Sequence, residues 1–303
     1  MRIKLRKVFQ WIGIFLIAVL GLGVLGLLAL YYTTNQKLNK KYEVSFEMID
    51  IPQDAESIER GRKIVSTRAG CFECHGGNFA GQFFDEGFLA GRIVMPNLTA
   101  GKGGIGATFT DEDWVRAIRY GLEQDGTSVI GMPSEYFNKL SDADLGAIIA
   151  YLHSLEPVDT DHPEIRLGPL FRWFILTEPH ALPATIIDFN APRPPEPVPG
   201  VTAEYGKYLA IACSICHSDN LAGGDEPGAG VNLTPGGDLG SWTEEDFIKA
   251  MRTGVTPTGK QLDSELMPWK SMGQMSDDEL KAIWLYLQTL PPVQNLPPTP
   301  TPD

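Results

Sequence analysis

The sequence predicts an all-α chain in which one membrane-spanning helix precedes two tandem copies of a small helical domain. Three observations predict it. A long uncharged apolar run lies near the N-terminus, an internal repeat covers most of the remainder, and both copies carry helix-capping signals ahead of a 3.6-residue apolar period.

Val8 to Tyr32 runs 25 residues without a charge, behind Arg2, Lys4, Arg6 and Lys7. As a helix it spans roughly 37 Å at about 1.5 Å per residue, enough to cross a bilayer with some tilt. A cleaved signal peptide would have a shorter apolar region ending in a small-x-small site. Leu28-Ala29-Leu30-Tyr31 is a poor one, which favours an uncleaved anchor over residues 1–40. Basic residues ahead of the helix place the N-terminus in the cytoplasm and the rest on the periplasmic or extracellular side of a single-pass protein. Residues 1–41 hold seven Lys/Arg and no Asp/Glu, whereas the remainder holds 18 Lys/Arg against 38 Asp/Glu. A net of −20 there excludes nucleic acid as a partner. It fits docking to basic patches, or plain solubility through self-repulsion.

The repeat is ordered throughout. Asn97-Leu98-Thr99 recurs as Asn232-Leu233-Thr234, Thr110-Asp111-Glu112-Asp113-Trp114 as Thr243-Glu244-Glu245-Asp246-Phe247, and Met132-Pro133 as Met267-Pro268. Ser141-Asp142 through Tyr151-Leu152 recurs as Ser276-Asp277 through Tyr286-Leu287. The offset is 142 at the cysteine motifs and 133 to 135 afterwards, so a few residues are missing from the second copy. This predicts homologous domains over 50–157 and 201–292. Ser276-x-x-Glu279 reads as a capping box, and Thr110, Ser141 and Thr243 are each followed three residues on by Asp. No convincing period-2 strand is legible. Residues 158–200 form a linker with an apolar stretch, Leu170 to Leu176, and a polyproline-type spacer from Ala191 to Pro199. A Pro-rich tail occupies 293–303.

All four cysteines fall in two strings, Cys71-Phe72-Glu73-Cys74-His75 and Cys213-Ser214-Ile215-Cys216-His217. Cys-x-x-Cys-His is the attachment signal for c-type haem. Thiols at i and i+3 share one side of a helical turn and can form two thioethers, and the next residue supplies an imidazole to the iron. A redox dithiol would call for a βαβ pattern, which is absent. Zinc would need further Cys or His ligands, and only His153, His162 and His180 remain. The expected cofactors are therefore two covalent haem c groups, with Cys71, Cys74, Cys213 and Cys216 as attachment points and His75 and His217 as iron ligands.

The sixth ligand decides function. Met132 and Met267 are the only methionines at equivalent places in both copies, each before Pro and nine residues ahead of the last helix. Met95, Met272 and Met275 are weaker rivals, as are His153, His162 and His180. Met/His ligation fills all six iron positions, which favours electron transfer over catalysis. A dihaem peroxidase or sulfur-compound dehydrogenase would need an open position. Arg119 and Arg252 repeat, and are read either as haem-propionate partners or as members of salt bridges. Trp114, Trp242 and Trp269 are read as core or as haem contacts.

On these residues the chain resembles class I c-type cytochromes, over about 59–157 and 204–292. It is most similar to the cytochrome c subunits of membrane-bound alcohol- and gluconate-type dehydrogenases. It shares their Pro96-Asn97-Leu98-Thr99 string, the Gly103-Gly104-Ile105-Gly106 turn, and Met132-Pro133 before Ser141-Asp142. The resemblance implies two tandem class I cytochrome c domains with axial methionines at Met132 and Met267. It also implies a crossing of first and last helices at Gly61 with Tyr151 and Gly206 with Tyr286. Redox partners would be a dehydrogenase or quinol-oxidising complex on one side and an oxidase or soluble carrier on the other. Those subunits usually carry three haem motifs and often a C-terminal anchor; this chain has two motifs and an N-terminal apolar helix.

Overall fold

The computed structural model describes residues 2–224 and 229–294. Part of the Gly223 to Gly240 loop, and the Pro-rich tail beyond 294, lie outside the described residues.

Helix α1 (Arg2–Leu38) leads the chain. From Arg6 to Leu38 it is long and apolar enough to cross a membrane, and its most apolar stretch is wholly unburied. The first repeat holds α2 (Ala55–Ile64), α3 (Cys71–His75), α4 (Gly87–Ala90), α5 (Asp111–Tyr120), α6 (Ser134–Phe137) and α7 (Asp142–His153). Helix α8 (Pro169–Thr177) follows in the connecting segment. The second repeat holds α9 (Ala203–Leu209), α10 (Ile211–His217), α11 (Glu244–Thr253), α12 (Trp269–Met272) and α13 (Asp277–Thr289).

The caps behave as the sequence implies. Thr110, Thr243 and Ser276 each form a full capping box with the acid three residues on. Ser141 caps α7 by accepting from the Asp144 amide, but the Asp144 carboxylate turns elsewhere. In both repeats the first and last helices cross where a glycine has no side chain. A Cβ on Gly61 would lie 1.9 Å from the Ala147 carbonyl oxygen and 3.0 Å from the Tyr151 Cβ. On Gly206 it would lie 1.8 Å from the Ala282 oxygen and 2.9 Å from the Tyr286 Cβ. Each repeat has its own core. Val115, Leu122, Leu145 and Ile149 anchor the first; Leu209, Leu280, Ala282 and Leu287 anchor the second.

One feature escapes the sequence reading. Strands β1 (Gln82–Asp85) and β2 (Gly91–Met95) form an antiparallel hairpin, joined at its edge by β3 (Arg166–Leu167). It fills the interval between His75 and Asn97, 22 positions apart, whereas His217 and Asn232 are 15 apart. The seven extra positions of the first repeat fall in the interval that holds this hairpin. It evades a period-2 search because its strands are four and five residues long and Gln82 is the only half-buried residue of β1.

The connecting segment lies against the first repeat. Ala184 belongs to the first core, and Phe189 packs on it together with Tyr42, Val44 and Phe46. Within the Pro-rich spacer, Arg193 pairs with Asp142 at 2.8 Å and also bonds the Glu47 carbonyl, while Glu196 pairs with Arg60 at 2.6 Å.

The two repeats meet reciprocally. Helix α10 packs on α6 of the first repeat, and α12 packs on the wide π turn Val65–Ala69 that leads into α3. Asp144, 1% exposed, ties them: it accepts from Arg60 at 2.7 Å, from Arg68 at 2.8 Å and from the Tyr208 hydroxyl of α9 at 2.5 Å. Arg68 also stacks 5.3 Å from the Tyr208 ring centroid.

Candidate functional site

Each Cys-x-x-Cys-His string forms a short helix, α3 or α10, ending at its histidine. Gly70, with φ 59°, turns the chain into α3 in a conformation that favours glycine. The first cysteine of each string packs on its own repeat's core, while Cys74 and Cys216 are exposed. Burial pushes the Cys71 and Cys213 thiols up to about 12, and it raises Cys74 and Cys216 as well. A redox dithiol needs the opposite shift. Among the described residues, no group of three or more His, Cys, Asp or Glu is arranged to hold a metal ion.

The imidazoles are oriented by backbone. His75 Nδ1 lies 2.9 Å from the Pro96 carbonyl, and His217 Nδ1 lies 2.6 Å from the Val231 carbonyl. A carbonyl can only accept, so Nδ1 carries the proton and Nε2 keeps its lone pair. Burial lowers both histidine pKa values, with the carbonyl bond opposing, so both rings are neutral at pH 7. Pro96 and Val231 each precede the repeated Asn-Leu-Thr string. Asn97 and Asn232, both buried, hold those strings by bonding the carbonyls of Val158 at 2.7 Å and Val293 at 2.6 Å.

The Met-Pro strings form the same turn twice. The Ser134 amide donates to the Met132 carbonyl at 2.8 Å, and the Trp269 amide donates to the Met267 carbonyl at 2.6 Å. Pro133 (φ −79°, ψ 54°) and Pro268 (φ −74°, ψ 55°) sit at the centres of these three-residue inverse γ-turns. Proline's locked φ makes the turn stiff. Met132 packs on the core that also receives Cys71, and Met267 on the core that also receives Cys213.

The rivals have other employment. Met95 lies in β2 opposite Gln82, and Met272 and Met275 fill the second core. His162 Nε2 meets the Ala80 carbonyl at 2.7 Å, His180 pairs with Glu135 at 2.7 Å, and His153 lies 3.5 Å from Asp111. Arg119 is committed to Asp142 and the Leu140 carbonyl, and Arg252 to Asp277 and the Met275 carbonyl. Both arginines therefore brace the start of their repeat's last helix. Trp114 is core, and Trp269 donates to the Leu262 carbonyl at 3.2 Å while packing over Gly254.

The donor set fits haem c. It offers two thiols on one helical turn and an imidazole with a free Nε2. A thioether stands on a stiff turn against the same core. Val231, whose carbonyl bonds His217, and Leu266, which precedes Met267, are 62% and 74% exposed, apolar surface that a flat macrocycle could cover. Sequence reasoning missed the pair that joins the repeats here. The Ser271 hydroxyl of α12 donates to Glu73, inside the first Cys-x-x-Cys-His string, at 3.4 Å.

Comparison with known proteins places these features in a family. The chain is 27% identical to the fructose dehydrogenase cytochrome subunit of Gluconobacter japonicus, over 78% of this chain and 53% of that one. It is 26% identical to the gluconate 2-dehydrogenase cytochrome c subunit of Pantoea cypripedii, over 82% and 63%. It is 25% identical to a diheme cytochrome c-type protein of Cereibacter sphaeroides, over 78% and 86%. The chain spans about half the length of the dehydrogenase subunits it matches. The cytochrome c family profile matches residues 58–156 and 203–291, each stretch enclosing one Cys-x-x-Cys-His helix and one Met-Pro turn, and the chain belongs to the cytochrome c family.

Proposed function

We propose that the chain is a membrane-anchored dihaem cytochrome c that passes electrons outside the cytoplasm. In this reading residues 1–40 anchor it, and 50–157 and 201–292 each hold one haem. Cys71 and Cys74, and Cys213 and Cys216, form the thioethers; His75 with Met132, and His217 with Met267, ligate iron. Bound there, haem supplies a one-electron Fe(III)/Fe(II) couple. The observation that carries the proposal is the duplicate geometry: a carbonyl-fixed imidazole and a Met-Pro inverse γ-turn on one core, once in each repeat.

The residues do the positioning. Pro96 and Val231 hold the rings in one tautomer, which keeps Nε2 basic. The Met-Pro turns deliver a sulfur from a stiff loop, and Met/His ligation raises the reduction potential. The donor is proposed to be a dehydrogenase or quinol-oxidising complex, and the acceptor a downstream carrier or oxidase. The dehydrogenase subunits among the relatives support the first; the acidic surface supports docking to a basic partner face.

Replacing Met132 or Met267 by His tests the ligand sets. Each variant is expected to lose one haem's methionine–iron charge-transfer band and to lower one midpoint potential. A spectrum untouched by Met132→His would reject that assignment, and rapid peroxide turnover by the wild-type protein would reject an electron-transfer role.

A further inference from the structure

Helix α8 presents an apolar face to the outside. Leu170, Trp173 and Phe174 lie at i, i+3 and i+4 on one side and are 59%, 62% and 44% exposed, while Ile175 on the other side is buried. Tip helix α4 of the hairpin extends this face with Phe88 and Leu89, 79% and 60% exposed. The Gly168 amide holds the two helices together through the Ala90 carbonyl at 2.9 Å. A soluble surface would put polar side chains here.

The position of α8 along α1 says what covers it. Arg172 donates to Thr34 Oγ1 and Asn35 Oδ1, both at 2.8 Å, and its guanidinium lies 4.2 Å from the Tyr31 ring centroid. Lys37 Nζ reaches the Ile175 and Leu176 carbonyls at 3.4 Å. Helix α8 is thus pinned beside residues 31–37 of α1, where the apolar run that ends at Tyr32 gives way to polar residues. In a helix that crosses a bilayer, that turn sits at the headgroup level.

We infer that α8 and the tip of the β1–β2 hairpin lie in the membrane interface, with Leu170, Trp173, Phe174, Phe88 and Leu89 entering the headgroup–acyl boundary of a phospholipid bilayer. This rests on the reading that α1 spans the membrane. Tryptophan and phenylalanine on one face of a helix are the side chains such a boundary favours. The contact gives the first repeat a second attachment beside the span. It fixes the tilt of that repeat, and with it the height of the His75 site above the lipid.

The test uses the full-length, haem-loaded chain in phosphatidylcholine/phosphatidylglycerol nanodiscs. Nitroxide labels are attached at Trp173→Cys, Phe88→Cys, Leu16→Cys in the span, and Val198→Cys in the spacer, the last 83% exposed. An unchanged haem spectrum shows that each variant is folded. Labels at 173 and 88 are expected to collide more with oxygen and less with a water-soluble nickel chelate than the label at 198. If the label at 16 is in lipid while those at 173 and 88 match 198, the interfacial contact is wrong and the anchor stands. If the label at 16 is in water, the anchor reading fails and takes the inference with it. If the labels at 173 and 88 lose access to both reagents, a second protein copy covers the face and the inference is overturned.

Discussion

Asn97 is a single buried side chain that joins three parts of its repeat. Its Oδ1 accepts from the Thr99 amide at 2.9 Å and the Thr99 hydroxyl at 2.8 Å, and its Nδ2 donates to Val158 beyond the last helix. The Thr99 hydroxyl in turn accepts from the Val158 amide at 2.9 Å. Asn232 and Thr234 make the same bonds with Val293. Asn97→Ala leaves the buried Thr99 amide unpaired, at about 1–3 kcal/mol, and takes one of two donors from the Val158 carbonyl, at about 1 kcal/mol more. Denaturant unfolding is expected to show a loss of about 2–4 kcal/mol, and the Pro96 carbonyl that orients His75 should loosen with it. Thr99→Ser keeps the hydroxyl and should cost far less. The Asn-Leu-Thr repetition was legible in the sequence. Its meaning was not, because the partner is a valine carbonyl some 60 positions away that any residue could supply.

At the scale of elements, the helices were legible because their signals are local. Caps and apolar periods sit within one or two turns, and the glycine at each helix crossing repeats with its aromatic partner. Thr243→Ala removes a capping box and should cost about 1 kcal/mol in thermal unfolding. Gly206→Ala is a sharper test, since the new Cβ meets the Ala282 backbone oxygen and only a shift of whole helices relieves it. Overpacking of this kind typically costs about 1–3 kcal/mol, and the same change at exposed Gly259 has no clash to relieve, though its φ of +82° strains any side chain. The hairpin left only an indirect trace: the change of repeat offset between the cysteine motifs and Asn-Leu-Thr. Its strands are stabilised by pairing with each other and with Arg166–Leu167, a long-range contact that local pattern cannot carry.

At the scale of the whole molecule, the arrangement of the repeats was invisible in the sequence. Asp144 occupies a position where three other acids complete capping boxes, yet it gives its carboxylate to Arg68, Arg60 and Tyr208. Burial alone would raise its pKa; Arg68, the Tyr208 hydroxyl and Arg60 hold it below the ordinary value of 3.8. A depressed carboxylate adds stability that is fully present above its unfolded pKa and is lost as pH falls through the folded one. Contact between the repeats is therefore expected to persist down to about pH 4 and to weaken below it, which small-angle scattering can follow. Asp144→Asn leaves Arg68 buried without its counter-charge, so a destabilisation of roughly 3–5 kcal/mol is expected. Tyr208→Phe keeps the ring and removes only the hydroxyl that bonds Asp144 and the Ser141 amide across the repeats. It should cost about 1.5–3 kcal/mol and split a joint unfolding transition into two. Uncoupled unfolding in the wild-type protein would count against Asp144 as the tie.

The reciprocal contact has a consequence for how the molecule is made. The turn leading into Cys71 is covered by α12, which is translated some 200 residues later, whereas α10 emerges when its cover, α6, already exists. A contact that is symmetric in space is thus asymmetric in time. The turn before the first cysteine pair waits uncovered through most of synthesis, while the helix that carries the second pair meets a neighbour already in place. On the proposed attachment sites, pulse-labelled chains should therefore acquire haem at Cys71 and Cys74 before Cys213 and Cys216, an order that peptide mapping of early products can read.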